Sequence, residues 1–369
     1  MSYKVPFVDV PTQYRRLRKP IMDVIDQVLA RGNLILREEL REFESGFAEF
    51  VGSKYAVGVS SGYDALHLTL RALGIGPGDE VITVSHTCVA TVSAIVHVGA
   101  SPVFVDIGAD FNMDMGQLDD AVTARTRAVL PVHLNGHACD MERLLDIAGK
   151  RRVLVVEDPA QALGARFDGR MLGTFGRAAA FSLYPFKMLG GFGDGGIVVT
   201  DDPEIARKVA VLRDYGQDRE TGEILDFGFN ARLDNLQAAI LDVKLPYLPE
   251  WIARRRQIAE IYREGLRDVP FLTLPHFDDA RYFDVYLNYS VLTARRDELV
   301  THLKASGVEP LVPISLAKPI HLHEALGFKG VRLPRTEDAA SRFVYLPINP
   351  ELGDEQVRYV IECIRSFRG

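Results

Sequence analysis

The sequence predicts an α/β protein built on a mostly parallel sheet, and three observations carry that reading. Between about residue 50 and residue 200, short β-branched runs alternate with amphipathic helical stretches. Each run is nearly continuous in apolar residues, as strands covered on both faces should be. After Asn230 the alternation stops and a different pattern begins.

The predicted strands are 55–59, 81–84, 102–105, 129–132, 153–156 and 197–200. Between them lie helical patterns such as the stripe Ala65, Leu66, Leu70 and Leu73, closed by Gly74, so helices are expected on both faces of the sheet. RLDNLQAAILDVKL reads as a helix, Pro246 and Pro249 bracket a break, and a long polar helix follows from Glu250 to Leu266. A boundary near residue 246 divides the 369 residues into a large domain, 1–245, and a small C-terminal α+β domain, 246–369. The small domain is expected to hold a strand at 285–292, a helix at 297–306, a Pro-rich loop and a final helix from Asp354.

With 47% hydrophobic and 25% charged residues the chain is globular in composition, which excludes disorder and coiled coil. Its 43 basic and 50 acidic residues leave a formal charge of -7, a poor match to nucleic acid, whose binding rests on neutralising phosphates. The basic clusters Arg15 to Lys19 and Arg254 to Arg256 are therefore expected to be solvated helix faces. Cys88, Cys139 and Cys363 are far apart and without metal-ligand spacing, so reduced thiols, no metal and a cytoplasmic protein are expected. No signal peptide and no membrane-spanning run of about 18 apolar residues is visible.

FSLYPFKMLGGFGDGGIVVT places one lysine, Lys187, among aromatic, apolar and glycine residues. Desolvation there disfavours the ammonium and suits a Schiff-base nucleophile. The glycines also fit G-x-G-x-x-G, but the last runs into a strand where a dinucleotide fingerprint would open a helix. They are expected instead to let backbone pack closely around a bound ring or a neighbouring chain. In VLVVEDPAQALGA a buried strand ends in Glu157 and Asp158, at the sheet end where α/β proteins bind ligands. A carboxylate there can hold a proton on a heteroaromatic nitrogen, as pyridoxal phosphate requires; Asp158 is the candidate and Glu157 the near alternative. A helix cap, with Pro159 in the first turn, is the plainer reading. In GVSSGYDALHL a strand turns through Ser60 and Ser61 into a helix whose free N–H groups, at Gly62 and Tyr63, suit a phosphate.

In this order, with ASPVFVDI, PVHLNGHACDM, FGDGGIVVT and NARLDNLQAAIL, these segments resemble the DegT/DnrJ/EryC1/StrS family of pyridoxal-phosphate sugar aminotransferases over nearly the whole chain. The resemblance implies a type I aminotransferase-like fold. It also implies pyridoxal 5'-phosphate as cofactor, with pyridoxamine 5'-phosphate formed between two half-reactions. The amino donor would be L-glutamate and the acceptor a keto sugar, usually nucleotide-linked. Lys187 would bond the cofactor and shuttle the proton, Asp158 would pair with the pyridine nitrogen, and Gln161 would lie near the phenolic oxygen. Ser182, Gly62 and Tyr63 would hold the phosphate. Asn230 would reach the phosphate of a neighbouring subunit, implying a homodimer with shared sites. Tyr63 stands where the family has threonine, Cys88 where an aromatic ring stacks on the cofactor, and Leu311 where a loop histidine faces the substrate. His86 is the expected substitute for the missing stack. These departures leave two alternatives, a free keto sugar as acceptor or a non-catalytic member. A dehydratase branch carries histidine in place of the lysine, which Lys187 contradicts.

Overall fold

The structure, a computed structural model, describes residues 3–275 and 279–368. Seven strands form the central sheet: β1 (Tyr55–Val59), β2 (Glu80–Val84), β3 (Ser101–Val105), β4 (Thr126–Val129), β5 (Leu154–Glu157), β8 (Ala178–Ser182) and β9 (Gly196–Thr200). The short strands β6 (Arg166–Phe167), β7 (Arg170–Met171) and β10 (Tyr282–Phe283) make a small second sheet, and β11 (Tyr289–Leu292) pairs with β12 (Phe343–Leu346). The longer helices are α1 (Val10–Arg31), α2 (Glu38–Val51), α3 (Gly62–Ala72), α4 (Val89–His97), α5 (Met115–Ala121), α6 (Met141–Arg151), α7 (Pro203–Leu212), α8 (Asn235–Lys244) and α9 (Leu248–Leu266). They are followed by α10 (Arg296–Ala305), α11 (Ile314–Ala317), α12 (Pro334–Arg342) and α13 (Asp354–Ser366).

The central sheet runs β1-β9-β8-β5-β4-β2-β3, and only β9 is antiparallel to its neighbours. All the other strands therefore present their carboxyl ends on one edge. The Ala178–Ser182 strand escapes a propensity reading, because three alanines are poor strand formers; its place between β5 and β9 decides the matter. In the fourth strand the ladder stops at Val129, earlier than its apolar run, and Pro131 beyond it has no N–H to donate. Phe47 packs edge-on against Phe43 and Phe181 at 5.8 and 5.4 Å, tying α2 to β8, and burying each such ring contributes about 1.5–3 kcal/mol.

A second core gathers Tyr262, Tyr289, Leu299, Val344 and Ile364 around Val5 from the beginning of the chain. Helix α9 serves both cores, with Trp251 and Ile252 in the first and Ile258, Tyr262 and Leu266 in the second. The expectation of a solvated face at Arg254 to Arg256 is overturned here. Arg255 is buried and donates to the carbonyls of Tyr286, Leu287 and Ile348, while Arg254 donates to that of Leu352 and Arg256 to that of Asp284. Loop carbonyls without partners of their own attract these guanidinium groups inward. The strand expected at 285–292 is confined to Tyr289–Leu292, because Val285 and Asn288 donate their N–H groups to the 135–136 turn instead.

Candidate active site

Parallel order brings four loops to one edge: 60–63 after β1, 85–88 after β2, 158–161 after β5 and 183–187 after β8. Six of the eight residues singled out in the sequence lie on these four loops, in order Gly62, Tyr63, Cys88, Asp158, Gln161 and Lys187. Ser182 is the last residue of β8 at the same edge.

Lys187 sits in a loop that folds back on itself. Its N–H donates to the carbonyl of Tyr184 at 2.9 Å, and the N–H of Gly191 donates to that of Leu183 at 2.9 Å. Burial pushes its ammonium below the ordinary lysine value, opposed by the nearby Asp158 carboxylate and Cys88. Among the described residues its Nζ has no hydrogen-bond partner. Asp158, 4% exposed, accepts from Thr91 Oγ1 at 2.8 Å and from the N–H of Ala160 at 3.2 Å. Burial raises its carboxyl, while Thr91, the Ala160 N–H, Lys187 and His133 pull it down. No helix follows Asp158, so the capping reading fails.

Glu157 is occupied elsewhere. Its oxygens accept from the N–H groups of Gly173, Phe175 and Gly176 at 2.8, 2.7 and 2.7 Å, and His133 Nε2 lies 3.3 Å away. His133 Nδ1 accepts from the N–H of Cys139, so its proton resides on Nε2 and points to Glu157. Asp158 is thus the carboxylate left facing the lysine.

At the start of α3, Ser61 caps the helix by accepting from Asp64. The N–H groups of Gly62 and Tyr63 have no acceptor among the described residues. A Cβ on Gly62 would lie 2.8 Å from Ser182 Cβ, so only glycine lets the two loops meet. The result is an anion cradle of two open N–H groups at a helix N-terminus beside a serine hydroxyl. Tyr63 supplies no hydroxyl to it, because its Oη is bonded to His97 Nδ1 at 2.6 Å and its ring stacks on His67. Of the glycines after Lys187, Gly190 and Gly196 pack against this chain's own backbone: a Cβ on Gly190 would lie 2.4 Å from the Pro185 carbonyl, and one on Gly196 2.1 Å from that of Ser61.

Gln161 Oε1 accepts from the N–H of Asn135 and from Asn288 Nδ2, at 3.0 and 3.2 Å. Cys88 is exposed at the cap of α4. His86 does not take over the stacking position. Its ring is 1% exposed, enclosed between Phe111 and Phe343, and burial lowers its pKa to about 4. Leu311 pairs its backbone with Tyr345 and leaves its side chain partly exposed. Asn230 is exposed, and its side chain makes no hydrogen bond among the described residues. The sequence reading missed Thr91, whose hydroxyl links Asp158 to Thr87 Oγ1 at 2.8 Å. The only signal was a second threonine four residues after Thr87 in an apolar helix.

Residues 15–365 match the profile described as the DegT/DnrJ/EryC1/StrS aminotransferase family. The chain belongs to this family. Among similar members of this aminotransferase family is dTDP-3-amino-3,4,6-trideoxy-alpha-D-glucose transaminase of Streptomyces venezuelae. It is 43% identical over 368 residues, covering 99% of this chain and 96% of that one. UDP-2-acetamido-2-deoxy-3-oxo-D-glucuronate aminotransferase of Pseudomonas aeruginosa is 37% identical over 363 residues, covering 98% of this chain and all (100%) of that one. The crystal structure of S. venezuelae DesV in complex with a ketimine intermediate superposes with a TM-score of 0.94 at 43% identity, covering 99% and 98% of the two chains. The α/β fold of the aminotransferase family is therefore this chain's fold, and no helix among its described residues is long and apolar enough to cross a membrane.

Proposed function

We propose that this protein is a pyridoxal-phosphate-dependent aminotransferase that moves the amino group of an amino acid, L-glutamate on the family's pattern, to a nucleotide-linked keto sugar. The observation that carries the reading is the convergence of a desolvated lysine, a buried carboxylate and an open helix N-terminus on one sheet edge. The residues fit the cofactor. Asp158 is buried without a cationic hydrogen-bond partner, so a protonated ring nitrogen would relieve it. The cradle of Gly62, Tyr63 and Ser182 offers N–H and O–H donors to a phosphate.

Bound there, pyridoxal phosphate supplies an aldehyde and an electron sink for the carbon that loses its proton. Lys187 would provide the amine that holds the cofactor and the base for the proton that moves between carbons. Asp158 keeps the ring nitrogen protonated, and Thr91 holds Asp158 by donating to Oδ2. Gln161 is held by Asn135 and Asn288 and is assigned to the phenolic oxygen. Cys88, exposed at the cap of α4, would offer a bound ring a thiol and no aromatic face.

Asn230 acts in a second copy of the chain on this reading. Its neighbourhood supports a homodimer: Phe227, Ile224 and Tyr215 are 92%, 76% and 54% exposed, apolar surface that a partner would cover. The second hydrophobic core, drawn from Ile258 onward apart from Val5, supports a small domain from 246 beside a large cofactor domain through residue 245, with α9 and residues such as Val285 and Phe343 packing into the first core. Three free thiols support a cytoplasmic setting.

The similarity to transaminases of dTDP- and UDP-linked sugars supports the nucleotide-linked acceptor. To test it, the protein is converted with L-glutamate, the donor is removed, and keto sugars are offered with and without the nucleotide. The lysine-bound cofactor's absorbance is expected to return at least about tenfold faster with the nucleotide-linked sugar. Equal or faster return with the free sugar would make the free sugar the acceptor.

A further inference from the structure

Lys244 is a lysine in an unusual place. It is 2% exposed, closes α8, and among the described residues makes no ion pair. Lysines are almost never fully buried unless paired, so its position calls for a reason. Burial lowers its pKa to about 8. Its Nζ donates to the carbonyl of Gly190 and lies 5.2 Å from the ring centre of Phe192 and 5.9 Å from that of Trp251.

Gly190 is part of the loop that carries Lys187. A Cβ on it would strike the Pro185 and Tyr184 carbonyls at 2.4 and 2.7 Å, so the loop closes on itself at that residue. The Gly191 N–H then returns to Leu183, and the Lys187 N–H to Tyr184. From the first turn of the same helix, Gln237 Oε1 accepts from the N–H of Phe192 at 2.9 Å. The helix thus grips the loop at both of its own ends, and it is anchored in turn against α1 and α2.

We propose that Lys244 is a positioning residue for Lys187: by donating to the Gly190 carbonyl it fixes the loop that aims the reactive amine. This rests on Lys187 being the reactive lysine. A buried cation held by one carbonyl and two aromatic faces costs desolvation. Its retention at this point is explained by what the carbonyl belongs to.

Lys244→Met keeps the length and the apolar contact with Phe192 and Trp251 while removing the charge and the donor. In the cofactor-free protein, amide exchange at Lys187 and Gly191 is expected to rise at least about tenfold while protection elsewhere is kept. In the loaded enzyme kcat is expected to fall about 10- to 100-fold, as for a reacting group set slightly out of place. Lys244→Arg, which keeps a cationic donor, is expected to restore the two amides. Unchanged exchange at the two amides would overturn the proposal. So would a general loss of protection in Lys244→Met if Lys244→Arg, stably folded, still left those two amides unprotected. Lys187→Ala is run beside them: if it keeps full turnover, the reading of Lys187 fails, whereas a failure confined to the Lys244 variants leaves that reading intact.

Discussion

Lys187→Ala is expected to lose transamination by more than about 10³-fold, because one side chain serves as both the amine that bonds the cofactor and the base that moves the proton. The loss belongs to kcat, since the N–H cradle that would hold a phosphate involves other residues. A pH dependence accompanies it in the unmodified protein. Burial puts the Lys187 ammonium below the ordinary lysine value, so the neutral amine is available at lower pH than on a surface lysine. Cofactor capture should therefore speed up with rising pH only as far as that lowered pKa and then level off, and rapid-mixing absorbance measurements across the neutral to alkaline range read this directly. A rate that keeps rising to the ordinary lysine value would mean the amine is not desolvated.

Asp158→Asn is expected to lower kcat by about 10²- to 10³-fold, with thermal stability little changed. An amide cannot hold a proton on a ring nitrogen, while its oxygen can still accept from the Ala160 N–H and its NH₂ can donate to the Thr91 hydroxyl. Glu157→Gln, one residue earlier, should behave in the opposite way. It turns an NH₂ either toward the N–H groups of Phe175 and Gly176 or toward the Gly173 N–H and His133, and should cost about 1–3 kcal/mol of stability with a smaller effect on kcat. Steady-state kinetics beside thermal unfolding of the two variants separates the roles. A larger kcat loss in Glu157→Gln would reverse the assignment.

The two adjacent carboxylates also show where the sequence stops being informative. That an acid stands at the end of a buried strand is legible in VLVVEDP; which of the two is free depends on the 173–176 turn, whose N–H groups take Glu157. Parallel strands with continuous apolar runs were readable, and with them the common edge that gathers the candidates. The alanine strand Ala178–Ser182 was not, since its neighbours rather than its residues make it a strand. Arg255 and Lys244 are the same lesson in side chains. Charge and helical spacing mark such residues as solvated, and only tertiary structure reveals the loop carbonyls that draw them inside. His86 errs the other way: adjacency to Cys88 and its neighbours suggested a ring for the cofactor, but the chain turns it between Phe111 and Phe343.

The most direct test of the central claim is the absorbance spectrum of the purified protein with pyridoxal phosphate, before and after L-glutamate, beside Lys187→Ala. The account predicts a band from the lysine-bound cofactor that gives way to the amino form on adding glutamate, and no lysine-bound band in the variant. A protein that takes up no cofactor, or a band that glutamate leaves untouched, would contradict it and point to a family member that keeps the fold without the reaction.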